Sequence, residues 1–170
     1  NAIHSAGMYV IIDWVPNHTG WDSKWISENP DWFTQDSLGN VVDPIDYNTG
    51  KSWGWTDVAD LNYENLEMRA AMIDAMKFWI TDIDIDGFRA DVAHGVPVDF
   101  WEECTAALYA EKPVFMLAEA EVPELLNTGS FVMDYGWEMH HLLNEIAKYQ
   151  GANKEASQTL VQGNLKEGGA

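Results

Sequence analysis

Three short apolar runs alternate along this chain with segments of helical period, and each run ends in charge. The first, MYVIIDWVP (8–16), is nearly continuously apolar and rich in β-branched and aromatic residues, the pattern of a strand buried on both faces of a parallel sheet. Pro16 stops it. Residues 64–81 carry Leu66, Ala70, Ile73, Met76 and Ile80 three and four apart, which predicts a helix with one apolar face. Asn65 is its expected N-cap, with Glu67 in the first turn. A short strand is expected around Gly87–Val92, then a helix from about Val98 to Ala110 with Phe100, Trp101, Cys104 and Leu108 on one side. A third strand follows at PVFMLAE (113–119), and a last helix near Tyr135–Tyr149 with Met139, Leu142, Leu143 and Ile146 inward. This alternation implies βαβ units around a parallel sheet.

Residues 20–62 interrupt the rhythm, being rich in Trp, Asp, Asn and Gly with no sustained period. A loop of that length is usually functional or a small subdomain. The expected organisation is therefore a strand with a preceding helix end at 1–19, a loop subdomain at 20–62, and βα units at 63–170. The opening NAIHSAGMYV lacks a methionine and VQGNLKEGGA ends no obvious element, so the chain is expected to be an internal piece of something larger.

With 28 acidic against 9 basic residues, the formal net charge of −19 argues against a nucleic-acid backbone or an anionic membrane surface as partner. No apolar run reaches the length of a membrane span. A lone cysteine, Cys104, excludes an internal disulfide and suits a small core residue.

The runs end alike. The first delivers Asp13, Asn17 and His18, the second Arg89 and Asp91, the third Glu119. In a (β/α)8 barrel the strand ends converge on one face, where polar residues read as catalytic. Arg89 and Asp91 lie two apart, so on a strand their side chains point the same way and the cation offsets the anion.

These residues carry a resemblance. DWVPNH (13–18) matches the DxVxNH signature of the α-amylase family of glycoside hydrolases, and GFRAD (87–91) its GFRxD. LAE (117–119) resembles the strand end bearing that family's acid/base glutamate, ADLNY (59–63) its PDLD-type motif, and FVMDYGWEMHHLLNEIAK (131–148) the stretch that follows the glutamate in bacterial starch-degrading members. The resemblance implies a partial (β/α)8 TIM barrel of about three βα units, strands 3 to 5, with the loop subdomain after the first. It implies a retaining glycosidase acting on α-glucosidic bonds of starch-like glucans or maltooligosaccharides. Asp91 would be the nucleophile and Glu119 the general acid and base, with His18 binding substrate and Asp13 structural; Arg89 beside Asp91 and Trp55 in the loop are expected to bind substrate as well. Asn17 and Asp60 match positions that bind a structural calcium. Gly95, however, stands where the family has a histidine whose carbonyl reaches that ion, and His94 is one residue early. A third catalytic aspartate, in an NHD-type motif, does not occur after Glu119, so these 170 residues alone are expected to be inactive. The sequence leaves the compartment open, with a secreted, periplasmic or cell-surface setting expected ahead of a cytoplasmic one.

Blander readings stand beside these. Asp91 and Arg89 also make an ordinary buried ion pair, Glu121 rivals Glu119, and His94, His140 and His141 suit polar loop or helix positions. Trp14, Trp79, Trp101 and Trp137 are expected in the core, whereas Trp21, Trp53 and Trp55 in the loop suit a sugar platform. Two rival functions are a non-catalytic glucan-binding or ancillary relative, and a metal-dependent hydrolase using Asp13, His18, Asp91 and Glu119. The latter would want a His-x-His or a strand-end lysine, and neither occurs.

Overall fold

The computed structural model describes residues 2–46 and 49–148, in two units, the first ending at Asp134 and the second beginning at Tyr135. In chain order the first holds α1 (Ala2–Ser5), β1 (Ile11–Trp14), β2 (His18–Gly20), α2 (Lys24–Glu28), β3 (Val58–Asp60), α3 (Leu66–Thr81), β4 (Gly87–Ala90), α4 (Val98–Glu111), β5 (Phe115–Ala118), α5 (Pro123–Asn127) and β6 (Met133–Asp134). The second holds α6 (Trp137–Lys148).

Strands β1, β4, β5 and β6 form one sheet in that order, each neighbouring pair parallel. The long helices α3 and α4 occupy the crossovers from β1 to β4 and from β4 to β5. The expected α/β alternation is therefore present, with β6 as a fourth strand that the sequence pattern did not suggest. Two residues are too short to display a period.

Side chains alternate across the sheet. Phe88, Ala90, Met116 and Ala118 turn to the helices and are fully buried, with Ile12 and Trp14 packed against the same core. Gly87, Arg89, Leu117 and Asp13 turn the other way by the period of two. Gly87 is required by close approach: a Cβ there would stand 1.9 Å from the Phe115 carbonyl oxygen of the neighbouring strand.

Several expectations need correction. β1 is not buried on both faces: Ile11 is 41% exposed, because among the described residues β1 is paired along one edge only and its Ile11–Asp13 face is open. The buried stripe of α3 runs through Met68, Met72, Ile73, Met76 and Ile80, leaving Leu66 and Ala70 exposed. Leu66 stands in the first turn, at the helix tip. In α6 only Leu142 is buried, Ile146 is half-buried, and Met139, Leu143 and Trp137 are exposed. The expected helix end at Tyr149 and residues 150–170 lie outside the described residues. Trp101 is fully buried, its Nε1 donating to the Ala93 carbonyl at 3.0 Å, while Trp14 and Trp79 pack on the core from partly exposed positions. Cys104 is buried beside Met76.

Asn65 caps α3 as expected: its Oδ1 accepts from the N–H groups of Glu67 at 2.9 Å and Met68 at 3.0 Å, while its Nδ2 donates to Asp31. Asn65→Ala should lower unfolding stability by about 1 kcal/mol, read as a reduced urea midpoint at unchanged slope.

Candidate active site

The register of the sheet assembles the site. Asp13 pairs with Arg89, and Arg89 with Leu117, so the three share one level of the open face. Asp91 and Glu119 stand two residues further along their strands, on the same face and one level up. The ladder continues to them, since Asp91 N donates to the Trp14 carbonyl at 2.8 Å and Glu119 N to the Ala90 carbonyl at 2.9 Å.

Arg89 sits between the carboxylates. Its Nη1 reaches Asp13 Oδ1 and Asp91 Oδ1, each at 2.7 Å, and its Nη2 reaches Glu119 Oε1 at 2.8 Å. The planar fork of the guanidinium thus brings Asp91 and Glu119 within several ångströms of each other. Both are partly shielded, with side chains 24% and 26% exposed, whereas Asp13 is open at 63%. The second Glu119 oxygen, Oε2, accepts from the Val92 N–H at 3.0 Å, a contact that no feature of the sequence announced. Glu121, two residues on, is exposed and its charge bears on Asp134.

Asp86, at the other end of β4, belongs elsewhere. It accepts from the Val10 N–H at 2.6 Å and lies 2.8 Å from His4 Nε2, and these partners, Val10 first, hold its carboxyl below the usual range.

The loop after β1 begins with an antiparallel ribbon, β2 against β3, in which His18 faces Asp60. His18 lies beside Trp55 (rings 5.7 Å apart), Trp55 beside Trp53 (4.9 Å), and Trp53 beside His94 (5.8 Å). Burial lowers the pKa of His18 against the opposing pull of Asp91 and Asp57. Trp21 joins the same loop by donating to the Thr56 carbonyl at 3.0 Å. Gly95 makes this packing possible: a Cβ would stand 2.3 Å from Asn17 Oδ1 and 2.8 Å from the Trp53 ring.

Asn17 and Asp60 are both buried. Calcium takes six to eight oxygens, whereas the Asp60 carboxylate already accepts from Thr34 and from the Ile45 N–H. Among the described residues no three His, Cys, Asp or Glu stand together as a metal cage. In the second unit, His140 lies 3.0 Å from Asn144 within α6, a satisfied helix histidine.

The family model for the α-amylase catalytic domain matches residues 1–166. The chain belongs to the α-amylase family. It is 34% identical over 128 residues to an intracellular maltogenic amylase of Bacillus subtilis, a match covering 69% of this chain and 21% of that protein. A cyclomaltodextrin glucanotransferase of Niallia circulans is 30% identical over 135 residues, covering 69% and 19%. Among solved structures, a noncanonic maltogenic α-amylase from Thermotoga neapolitana superposes with a TM-score of 0.75 at 31% identity, over 87% of this chain and 33% of that one. An α-amylase from Lactobacillus plantarum gives 0.73 at 30%, over 95% and 40%. The chain therefore spans about a fifth of the length of these curated relatives.

Burial pushes the Asp60 carboxyl up to about 6, with Thr34 and Ile45 opposing and Asp43 adding to the rise. A carboxyl raised on folding favours the protonated native state, so that stability is full below about pH 4 and lost as pH rises through about 6. Asp60→Asn should remove this dependence. Urea titrations from pH 4 to 7 should find the variant gaining on the parent with rising pH, by up to about 3 kcal/mol.

Proposed function

We propose that the whole protein containing this chain is a retaining glycoside hydrolase cleaving α-glucosidic bonds of starch-like glucans or maltooligosaccharides. Membership of the α-amylase family supports the substrate class. The observation that carries the chemistry is one guanidinium holding Asp91 and Glu119 from adjacent strand ends. Retention needs an attacking carboxylate and a proton donor close together around one sugar.

In the first step an Asp91 carboxylate oxygen attacks the anomeric carbon. The glycosidic C–O bond breaks, and Glu119 gives its proton to the departing oxygen. In the second, Glu119 takes a proton from water as the water oxygen attacks the same carbon, and Asp91 leaves. With Glu119 protonated to donate, Asp13 and Asp91 still face one fixed cation, so excess negative charge borders the point where the sugar becomes positive in the transition state. His18 and Trp55 form an edge-to-face pair suited to a sugar ring, the imidazole offering a hydrogen bond and the indole a flat apolar face. Asp13 is a structural partner of Arg89.

Asp91→Asn in the whole protein should lower kcat by about 10,000-fold or more with the circular dichroism spectrum unchanged. Near-normal turnover of maltooligosaccharide would refute the assignment.

For Asn17 and Asp60 we infer an internal role, holding the β2–β3 ribbon through their own hydrogen-bond partners. A chelator should then leave the melting temperature of the dialysed protein unchanged. A fall of several degrees, reversed by calcium, would overturn this.

A further inference from the structure

We propose that Val92 is a positioning residue for Glu119, acting through its backbone N–H. The inference rests on the reading of Glu119 as general acid and base.

Val92 has φ +46° and ψ +43°, in the left-handed region. Among the described residues the other non-glycine at positive φ is Asp84, in a surface turn. For a β-branched residue this conformation is costly and persists only where its surroundings over-determine it. Here they do. The preceding residue is tied to β1 through Asp91 N, the facing residue to β4 through Glu119 N, and the Val92 carbonyl accepts from Gly95 N at 2.9 Å. The Val92 side chain is itself buried.

The consequence is a diverted donor. Were the parallel ladder between β4 and β5 to continue, the N–H of residue 92 would next donate to the Glu119 main-chain carbonyl. The left-handed turn ends the strand at Ala90, and the N–H goes instead to the Glu119 side chain, at Oε2.

That contact constrains the chemistry. A backbone N–H only donates, so Oε2 remains an acceptor whether Glu119 is protonated or not. Arg89 Nη2 likewise only donates, to Oε1, so the two contacts together fix the plane of the carboxyl and with it the direction in which its proton is delivered. The terminal torsion of a glutamate is broad and roughly two-fold. Without the Val92 anchor the carboxyl would swivel, and the proton would be misplaced for the departing oxygen.

The test replaces the Val92 amide by an ester in the whole protein, using the hydroxy acid with valine's own side chain, so that an oxygen takes the place of the N–H. Two substrates are compared by kcat/KM: a maltooligosaccharide, whose leaving alcohol needs a proton, and dinitrophenyl α-maltoside, whose leaving phenolate does not. The ester should lose about 10- to 100-fold on the first and less than about 3-fold on the second. Val92→Ala, which keeps the N–H, should lose equally on both. Equal losses for the ester, or none, would overturn the proposal while its melting temperature certifies the fold. Glu119→Gln separates the two readings. It should show the same dependence on leaving group more strongly; if it shows none, the assignment of Glu119 falls and the Val92 inference with it, whereas if only the ester shows none, the Val92 inference falls alone.

Discussion

Three carboxylates at one end of three neighbouring strands would repel one another were Arg89 not between them. Two like charges about 4 Å apart near a protein surface repel by about 4 kcal/mol, and here Asp13, Asp91 and Glu119 share one small region. The compensation depends on shape as well as charge. A lysine would bring a compact ammonium to one point, whereas the guanidinium offers Nη1 to two carboxylates and Nη2 to the third. In the proposed mechanism Glu119 enters protonated, and Asp13 and Asp91 still outnumber the one cation, so the site stays net negative where a developing cation would sit.

Arg89 can do this because the sheet is parallel and in register. Parallel pairing sends β1, β4 and β5 out through the same edge, and the Asp13–Arg89–Leu117 register sets one level of side chains on the open face. The next level carries Asp91 and Glu119. A slip of one residue in either pairing would turn these groups toward the helices, into the layer filled by Phe88, Ala90, Met116 and Ala118. The buried side of the sheet therefore fixes the chemistry of the other side. Gly87, pressed against the Phe115 backbone, brings β4 and β5 close enough for this to hold.

Much of this was legible in the residues. The apolar runs gave the strands that carry Asp13, Arg89, Asp91 and Glu119, and Asn65 gave the cap of α3. What the pattern misjudged were faces. A near-continuous apolar run such as MYVIIDWVP carries no record of how many neighbours its strand has, so β1 was expected to be buried on both sides. In α3 the methionines at 68 and 72, flexible and polarisable, took core positions that spacing alone assigned to Leu66 and Ala70. The aromatic chain from His18 through Trp55 and Trp53 to His94 was half visible: the loop tryptophans suggested a platform, but nothing local linked them to the residues after Asp91. Val92 was invisible, because a left-handed valine has no sequence signature.

The five residues Asp91–Gly95 tie these parts together. Asp91 takes Arg89, Val92 N–H takes Glu119, His94 stacks near Trp53, and Gly95 leaves room for Asn17 and Trp53 to close on it. Asn17 in turn lies 3.3 Å from His18 through their side-chain nitrogens, and His18 lies against Trp55. One short segment therefore sets the spacing between the charged pair and the aromatic wall. Strain at Val92 is tolerable there because the residues on either side are pinned by ladder bonds and by packing that a larger side chain at Gly95 would break. In the proposed hydrolase, a rigid turn at this point converts the regular spacing of strands into the irregular spacing that a sugar ring between two carboxyl groups demands.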